Sequence, residues 1–357
     1  MRNSIRKTVS TIGATLLVFS LAACKEEVVP QPVVTNTAEA AISADKYTQI
    51  AKTTQDALAN ADTALSTDSV APRAQNPFLA QRAAQYKLKG LKEDFSIPMI
   101  VIDAEAEPVE SGADFPRSLF SYSAPVSGQN QRTLTAWQQS SARSNYKLWG
   151  QVALFAQSDL PALISTANDA TAIPAGQPEK YLADPAAVLA AYAEYVNTGA
   201  ADAVPFQAGD SVATQLQQNK DKLNEEAGEF GTITLSSAAD QTGIVGVSTA
   251  DGGVVIMGNL LFDIKYEANN EDRPLILKDE VALMASGDKE KDTAQIVKDK
   301  PLTAHYATTL AFYIPPKAAG DTKAETDAAA ESAQDAAPTV RLIGASTPVL
   351  LSAEIAQ

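Results

Sequence analysis

The chain has 357 residues, a length that fits about two domains. Apolar residues make up 45% and charged residues 20%, while 28 basic against 43 acidic residues leave a net charge of −15. That balance excludes the basic patch that nucleic-acid phosphates require, and a single Cys and a single His exclude an intrachain disulfide framework or a Cys/His zinc site.

Residues 1–7 carry Arg2, Arg6 and Lys7 and no acid. Residues 8–20 are mostly apolar, with Val9, Ile12, Leu16, Leu17, Val18 and Phe19. This run is shorter than the roughly 20 residues that span a bilayer. Small residues, Ala22 and Ala23, follow it. A basic head, a short apolar run and small residues form the order of a secretory signal. The competing reading, an uncleaved membrane anchor, fits a longer apolar run better.

Leu21-Ala22-Ala23-Cys24 resembles the lipobox of bacterial lipoproteins. The resemblance implies that the signal, residues 1–23, is cut after Ala23 and that the Cys24 thiol carries a diacylglyceryl group. Cys24 is the only cysteine of the chain. Two acyl chains anchor stably, each buried CH₂ adding about 0.8 kcal/mol. Loss of Arg2, Arg6 and Lys7 leaves 25 basic against 43 acidic residues, a net charge of −18. Anionic headgroups repel such a body. Residues 24–37 contain Pro30 and Pro32 and no helical period. They read as an extended tether of about 3 Å per residue, roughly 40 Å in all.

The body after the tether predicts helices first. Tyr47, Ile50, Ala51, Thr54, Leu58, Ala61 and Leu65 recur at steps of three and four, so 38–66 reads as a helix with one buried face. Phe78, Leu79, Arg82, Ala83 and Tyr86 mark a second over 77–89, ended by Gly90. Strands are then predicted over 95–102, 118–123, 132–139 and 146–155, with a polar turn at 140–145. Residues 158–182 contain Pro161, Pro174, Gly176 and Pro178 with little period, and a linker between domains is read at 166–182.

The order then repeats. Asp184 and Pro185 read as N-cap and first residue of a helix closed by Gly199. Asp210 or Ser211 opens another, closed by Gly228. Strands are expected over 231–236, 243–249, 253–266, 301–315 and 339–353, with a tight turn at Ala250-Asp251-Gly252-Gly253. Residues 286–293 read as a charged loop, and 318–337 as a mobile Ala/acid-rich insertion. The reading is α+β: two tandem helix–helix–antiparallel-sheet domains, 38–165 and 183–357. Leu134-Thr135-Ala136-Trp137 and Leu302-Thr303-Ala304-His305 open a long strand late in each half. The architecture resembles cystatin-like folds, including the nuclear-transport-factor-2-like type. The likeness implies no function.

Catalytic chemistry finds little support. A Ser–His–Asp arrangement needs His305, which sits in a strand pattern, and no Gly-x-Ser-x-Gly elbow occurs. Acid runs at Asp103–Glu110, Glu225–Glu229 and Glu267–Asp272 read as solvated faces of an acidic protein. Asn269-Asn270-Glu271-Asp272 lacks the spacing and Gly of a calcium loop. No phosphate cradle and no cofactor site emerge. Trp137 and Trp149 flank one hairpin and could floor a ligand pocket, with Arg117 at its rim. Strand-core packing is the simpler reading of both indoles.

Further motifs resemble a set of actinobacterial membrane lipoproteins built on a domain of unknown function. They are Ala71-Pro72-Arg73 before the 78–86 helix, Phe115-Pro116-Arg117, Tyr146-Lys147-Leu148-Trp149-Gly150, the 250–253 turn and the strand running into Pro315-Pro316-Lys317. The resemblance implies an exported, membrane-anchored protein and carries over no catalytic or ligand residue. The expectation is a noncatalytic lipoprotein on the extracytoplasmic face of the cell membrane that binds or scaffolds an envelope partner. A solute-binding lipoprotein and a carboxylate-based cell-wall enzyme are the alternatives.

Overall fold

The computed structural model describes residues 11–12, 42–112, 114–123, 131–156, 158, 160–165, 178–200, 203–317 and 337–356. The tether, Ala23 and Cys24, most of the linker and nearly all of the 318–337 insertion lie outside them. The chain is a mixed α+β protein with a large antiparallel sheet.

Among the described residues five α-helices form: α1 (Ala44–Ala64), α2 (Phe78–Leu91), α3 (Pro185–Thr198), α4 (Ser211–Ala227) and α5 (Glu280–Ser286). Side-chain caps open α1, α3 and α4. The Ser43 hydroxyl accepts from Lys46 N, and the Asp184 carboxylate accepts from Ala186 N with Pro185 at the first helical position. The Asp210 carboxylate accepts from Val212 N and Ala213 N. Gly199 ends α3 at φ 77°, where a side chain would be strained.

Strands β1 (Thr11–Ile12), β8 (Leu275–Lys278) and β9 (Thr293–Ile296) form a small sheet. Thr11–Ile12, inside the segment read as a signal, runs parallel to β8. The large sheet holds β2 (Pro108–Ser111), β3 (Arg117–Tyr122), β4 (Thr133–Gln139), β5 (Lys147–Leu154), β6 (Gly231–Ser248), β7 (Val254–Ala268), β10 (Leu302–Ile314), β11 (Arg341–Ala345) and β12 (Val349–Ile355). Its order is β2-β3-β4-β5-β11-β10-β7-β6, and β12 also pairs with β10. β11 joins the strands of the two halves. Gly344 and Ala345 pair with Leu154 and Ala153 of β5, while Leu310–Tyr313 of β10 pair with the other edge of β11.

The sheet curls until β6 lies against β2 and β3. Alternate residues therefore serve an inside and an outside. Inside, Val109, Phe120, Trp149, Val247, Met257 and Ala311 share one buried cluster. Outside, α1 places Tyr47, Ile50 and Leu58 against Leu119, Trp137 and Leu148. α3 and α4 place Leu189, Tyr192 and Leu216 against Ile256, Leu260 and Phe262.

Several predicted strands change in the structure: 231–236 and 243–249 run on as the single strand β6, with a register shift between Ala239 and Ile244. Residues 95–102 are not a strand, because Pro98 lacks the N–H that a ladder uses. Helix side chains satisfy their backbone instead: Gln55 donates to Ile100 O and accepts from Ile102 N, and Arg82 donates to Pro98 O. The predicted 339–353 strand breaks into β11 and β12. At the break Ser346 N donates to Thr309 O, and the Ser346 hydroxyl accepts from Thr309 N. Elements β2, β8, α5 and β9, of four to seven residues each, had no separate signal in the sequence.

The β5–β11 junction is tight. A Cβ added at Gly344 would stand 2.7 Å from the Ala153 carbonyl oxygen and 3.0 Å from Leu154 Cδ2. Backbone cannot swing aside as a side chain can. We predict that Gly344→Ala destabilises the chain by about 1–3 kcal/mol. Denaturant melts of variant and wild type at equal slope measure it.

Candidate functional site

Polar groups gather in a few places, and each has a traceable cause. The first is a clamp between α1 and α2. Arg82, 2% exposed, donates from Nη2 and Nε to the two Asp62 oxygens at 2.6 and 2.9 Å. Its Nη1 reaches Gln85 and Pro98 O, and the Tyr86 hydroxyl donates to Asp62 Oδ1 at 2.6 Å. Burial and the Asp62 carboxylate push the Tyr86 phenol up to about 12. Every donor here is aimed at a protein acceptor, so the clamp holds the fold. A second pair, Lys92 with Glu280 at 3.1 Å, ties α2 to α5. Burial raises the Glu280 carboxyl against the pull of Lys92.

The second place is one end of the curled sheet. The Gln81 amide on α2 donates to Asn259 Oδ1 at 2.8 Å and to Thr309 Oγ1 at 3.3 Å. Asn259 donates in turn to Asp240. By strand alternation Asn259 and Thr309 continue the inward rows of Met257 and Ala311. α2 therefore closes this end with a polar plug. Thr249, Asp251 and Tyr313 stand at the other end. The Thr249 and Tyr313 hydroxyls and Gly253 N all donate to the Asp251 carboxylate. Partial burial pulls the Asp251 carboxyl upward, but these three donors win and hold it below its ordinary range.

Beyond the Gln81 plug the same sheet face opens to solvent. Asp263, Lys265 and Glu267 on β7 and Thr303 and His305 on β10 are half-exposed there. His305 Nδ1 lies 2.7 Å from Asp263 Oδ1, with the side chains 35% and 42% exposed. Lys265 Nζ lies 2.8 Å from Glu267 Oε1. Register also sets Ser352 of β12 opposite His305. No hydrogen bond joins His305 to Ser352, so these three residues form a polar row across the sheet rather than a proton relay. This open, ion-paired face is the candidate contact surface of the molecule.

The residues singled out from sequence fall as follows. Trp137 and Trp149 sit on neighbouring strands but on opposite faces, 0% and 1% exposed. Trp137 packs in the outer cluster, edge-on to Tyr47 at 5.7 Å, with its indole N–H unpartnered. Trp149 fills the inside of the curl. The two indoles do not share one pocket floor. The Arg117 guanidinium lies 4.6 Å over the Phe115 ring. Cys24 and Ala23 lie outside the described residues. Glu110 is a residue that sequence reasoning left in a solvated acid run. It is 4% exposed and accepts from Ile42 N at 3.1 Å and the Tyr146 hydroxyl at 3.3 Å. Partners 68 and 36 residues away leave no local signal.

Among the described residues no cluster of three or more His, Cys, Asp and Glu side chains could hold a metal ion. None of their helices is long and apolar enough to cross a membrane. No family model matches the chain, and neither a curated protein nor a solved structure does so.

Asp251 supplies a prediction with a definite sign. Its lowered carboxyl stabilises the fold above the ordinary Asp range and loses that contribution as pH falls through the lowered value. Asp251→Asn is expected to cost about 1 kcal/mol at neutral pH, a figure reduced for the exposure of the group. The gap to wild type should close in strong acid, as read from urea melts across pH.

Proposed function

We propose that this chain is a noncatalytic lipoprotein, held on the extracytoplasmic face of the cell membrane through Cys24, that binds or scaffolds a protein of the cell envelope. One observation carries the reading: the only cysteine stands directly after Leu21-Ala22-Ala23, behind a basic head and a short apolar run. A cysteine kept for packing could stand anywhere in the fold. This one stands where lipid attachment needs it. On this reading cleavage also removes Thr11–Ile12 from the edge of β8.

The body supports a surface contact over an enclosed ligand. Trp149, Phe120 and Met257 fill the inside of the curled sheet, and Gln81 closes one end. The accessible polar face around Asp263 and His305 lies on the outside of that plug. Each half also opens with two helices that antiparallel strands follow, with α5 added in the second, and we read the halves as related units of the cystatin-like or nuclear-transport-factor-2-like kind sharing one sheet.

Proximity labelling in intact cells tests the reading, with wild type compared against Cys24→Ala. The wild type should fractionate with membranes, incorporate labelled fatty acid and enrich a small set of envelope neighbours. Cys24→Ala should lose all three. Equal membrane retention by the variant would contradict the anchor. A hydrolytic activity abolished by His305→Ala in a folded protein would contradict the noncatalytic reading.

A further inference from the structure

We propose that Asn197 and Asn224 act together as a surrogate strand, keeping the free edge of β6 from pairing with a second copy of this chain. Over Gly231–Ala239, β6 pairs with β7 on one side and ends the sheet on the other. In an antiparallel ladder alternate residues turn both N–H and C=O away from the partner strand. Ile233, Leu235 and Ser237 share that parity. Such an edge is a template for any further strand.

Two helices fill it. Ile233 N donates to Asn224 Oδ1 at 2.9 Å, and Asn224 Nδ2 donates to Ile233 O at 2.8 Å. Four residues on, Ser237 N donates to Asn197 Oδ1 at 2.7 Å, and Asn197 Nδ2 donates to Ser237 O at 2.9 Å. Each carboxamide makes the donor–acceptor pair that a residue of a neighbouring strand would make. Each carboxamide has a further bond: Asn224 Nδ2 also donates to Lys220 O, and Asn197 Oδ1 also accepts from Ser237 Oγ at 3.0 Å. One such contact is ordinary helix–sheet packing. Two, from different helices and at the same parity of one edge, amount to a covered edge.

The composition of the edge explains the need. Residues 232–239 read Thr-Ile-Thr-Leu-Ser-Ser-Ala-Ala, with no charge and no Pro. Exposed edges are usually protected by Lys, Pro or inward charges. An uncharged, β-prone segment of this length is instead a self-pairing hazard. A second β6, antiparallel to the first, meets no like charge along this stretch. The asparagines supply the protection that the strand's own side chains lack.

Two measurements on the full chain test this. Residue-resolved hydrogen exchange of the wild type should show the Ile233 and Ser237 amides slower than Leu235 between them, by about three- to tenfold, the factor of one net hydrogen bond. Sedimentation of Asn197→Ala/Asn224→Ala over a concentration series should show association beyond that of wild type. Equal exchange at the three amides would overturn the proposal. So would unchanged association in a double variant whose circular dichroism matches wild type. The exchange measurement stands even where the double variant does not fold.

Discussion

Pairing of Gly344 and Ala345 on β11 with Leu154 and Ala153 on β5 is the contact on which the rest of the structure depends. β5 is the last strand of the N-terminal half, and β11 reaches it from the far end of the chain. Without this step β2 to β5 would form one small sheet, and β6, β7, β10 and β12 another. With it the strands make one surface, long enough to curl until β6 meets β2. The inner cluster exists only in that state, since it takes Phe120 and Trp149 from one half and Val247, Met257 and Ala311 from the other. A two-pair ladder is weak by itself. Its strength comes from the apolar surface that the closed curl removes from water.

Closing a sheet creates two ends, and each end is finished with polar groups that are bonded. Gln81 meets Asn259 and Thr309 at one, and Asp251 gathers Thr249, Tyr313 and Gly253 at the other. An unpaired polar group at either place would cost more than the bond returns. The outer helices are tied to one another in the same way. Arg82 bridges α2 to Asp62 on α1, and Gln217 of α4 donates to Val196 O at the end of α3.

The parts of this fold that local chemistry determines were legible in the sequence. Asp184, Pro185 and Gly199 bound α3 because each cap depends only on residues within a turn of its own helix end. Asp251-Gly252 turns β6 into β7 for a similarly local reason, since Gly252 takes φ 87°. The halves' order of helices and strands followed from periodicity. What long-range pairing determines was not legible. Residues 95–102 have strand composition, yet helix side chains more than forty residues away claim their backbone. Glu110 sits in an acid run, yet its partners come from Ile42 and Tyr146. That Trp137 and Trp149 pack in different clusters, one outside the curl and one inside, was not legible either. One residue of offset in register sends neighbouring strands' indoles to opposite faces.

This geometry suits a protein whose contacts are made by its surface. Its inside is filled, its β6 edge is covered, and a half-exposed ion-paired face remains. The central claim is that the two halves are one cooperative body joined through β11. Equilibrium unfolding in denaturant, followed by two probes, tests it most directly. Both tryptophans lie in the N-terminal half, so their fluorescence reports that half alone, while far-ultraviolet circular dichroism reports both. The account predicts coincident transitions with one midpoint. Two separated midpoints would show that the halves unfold independently and would contradict it.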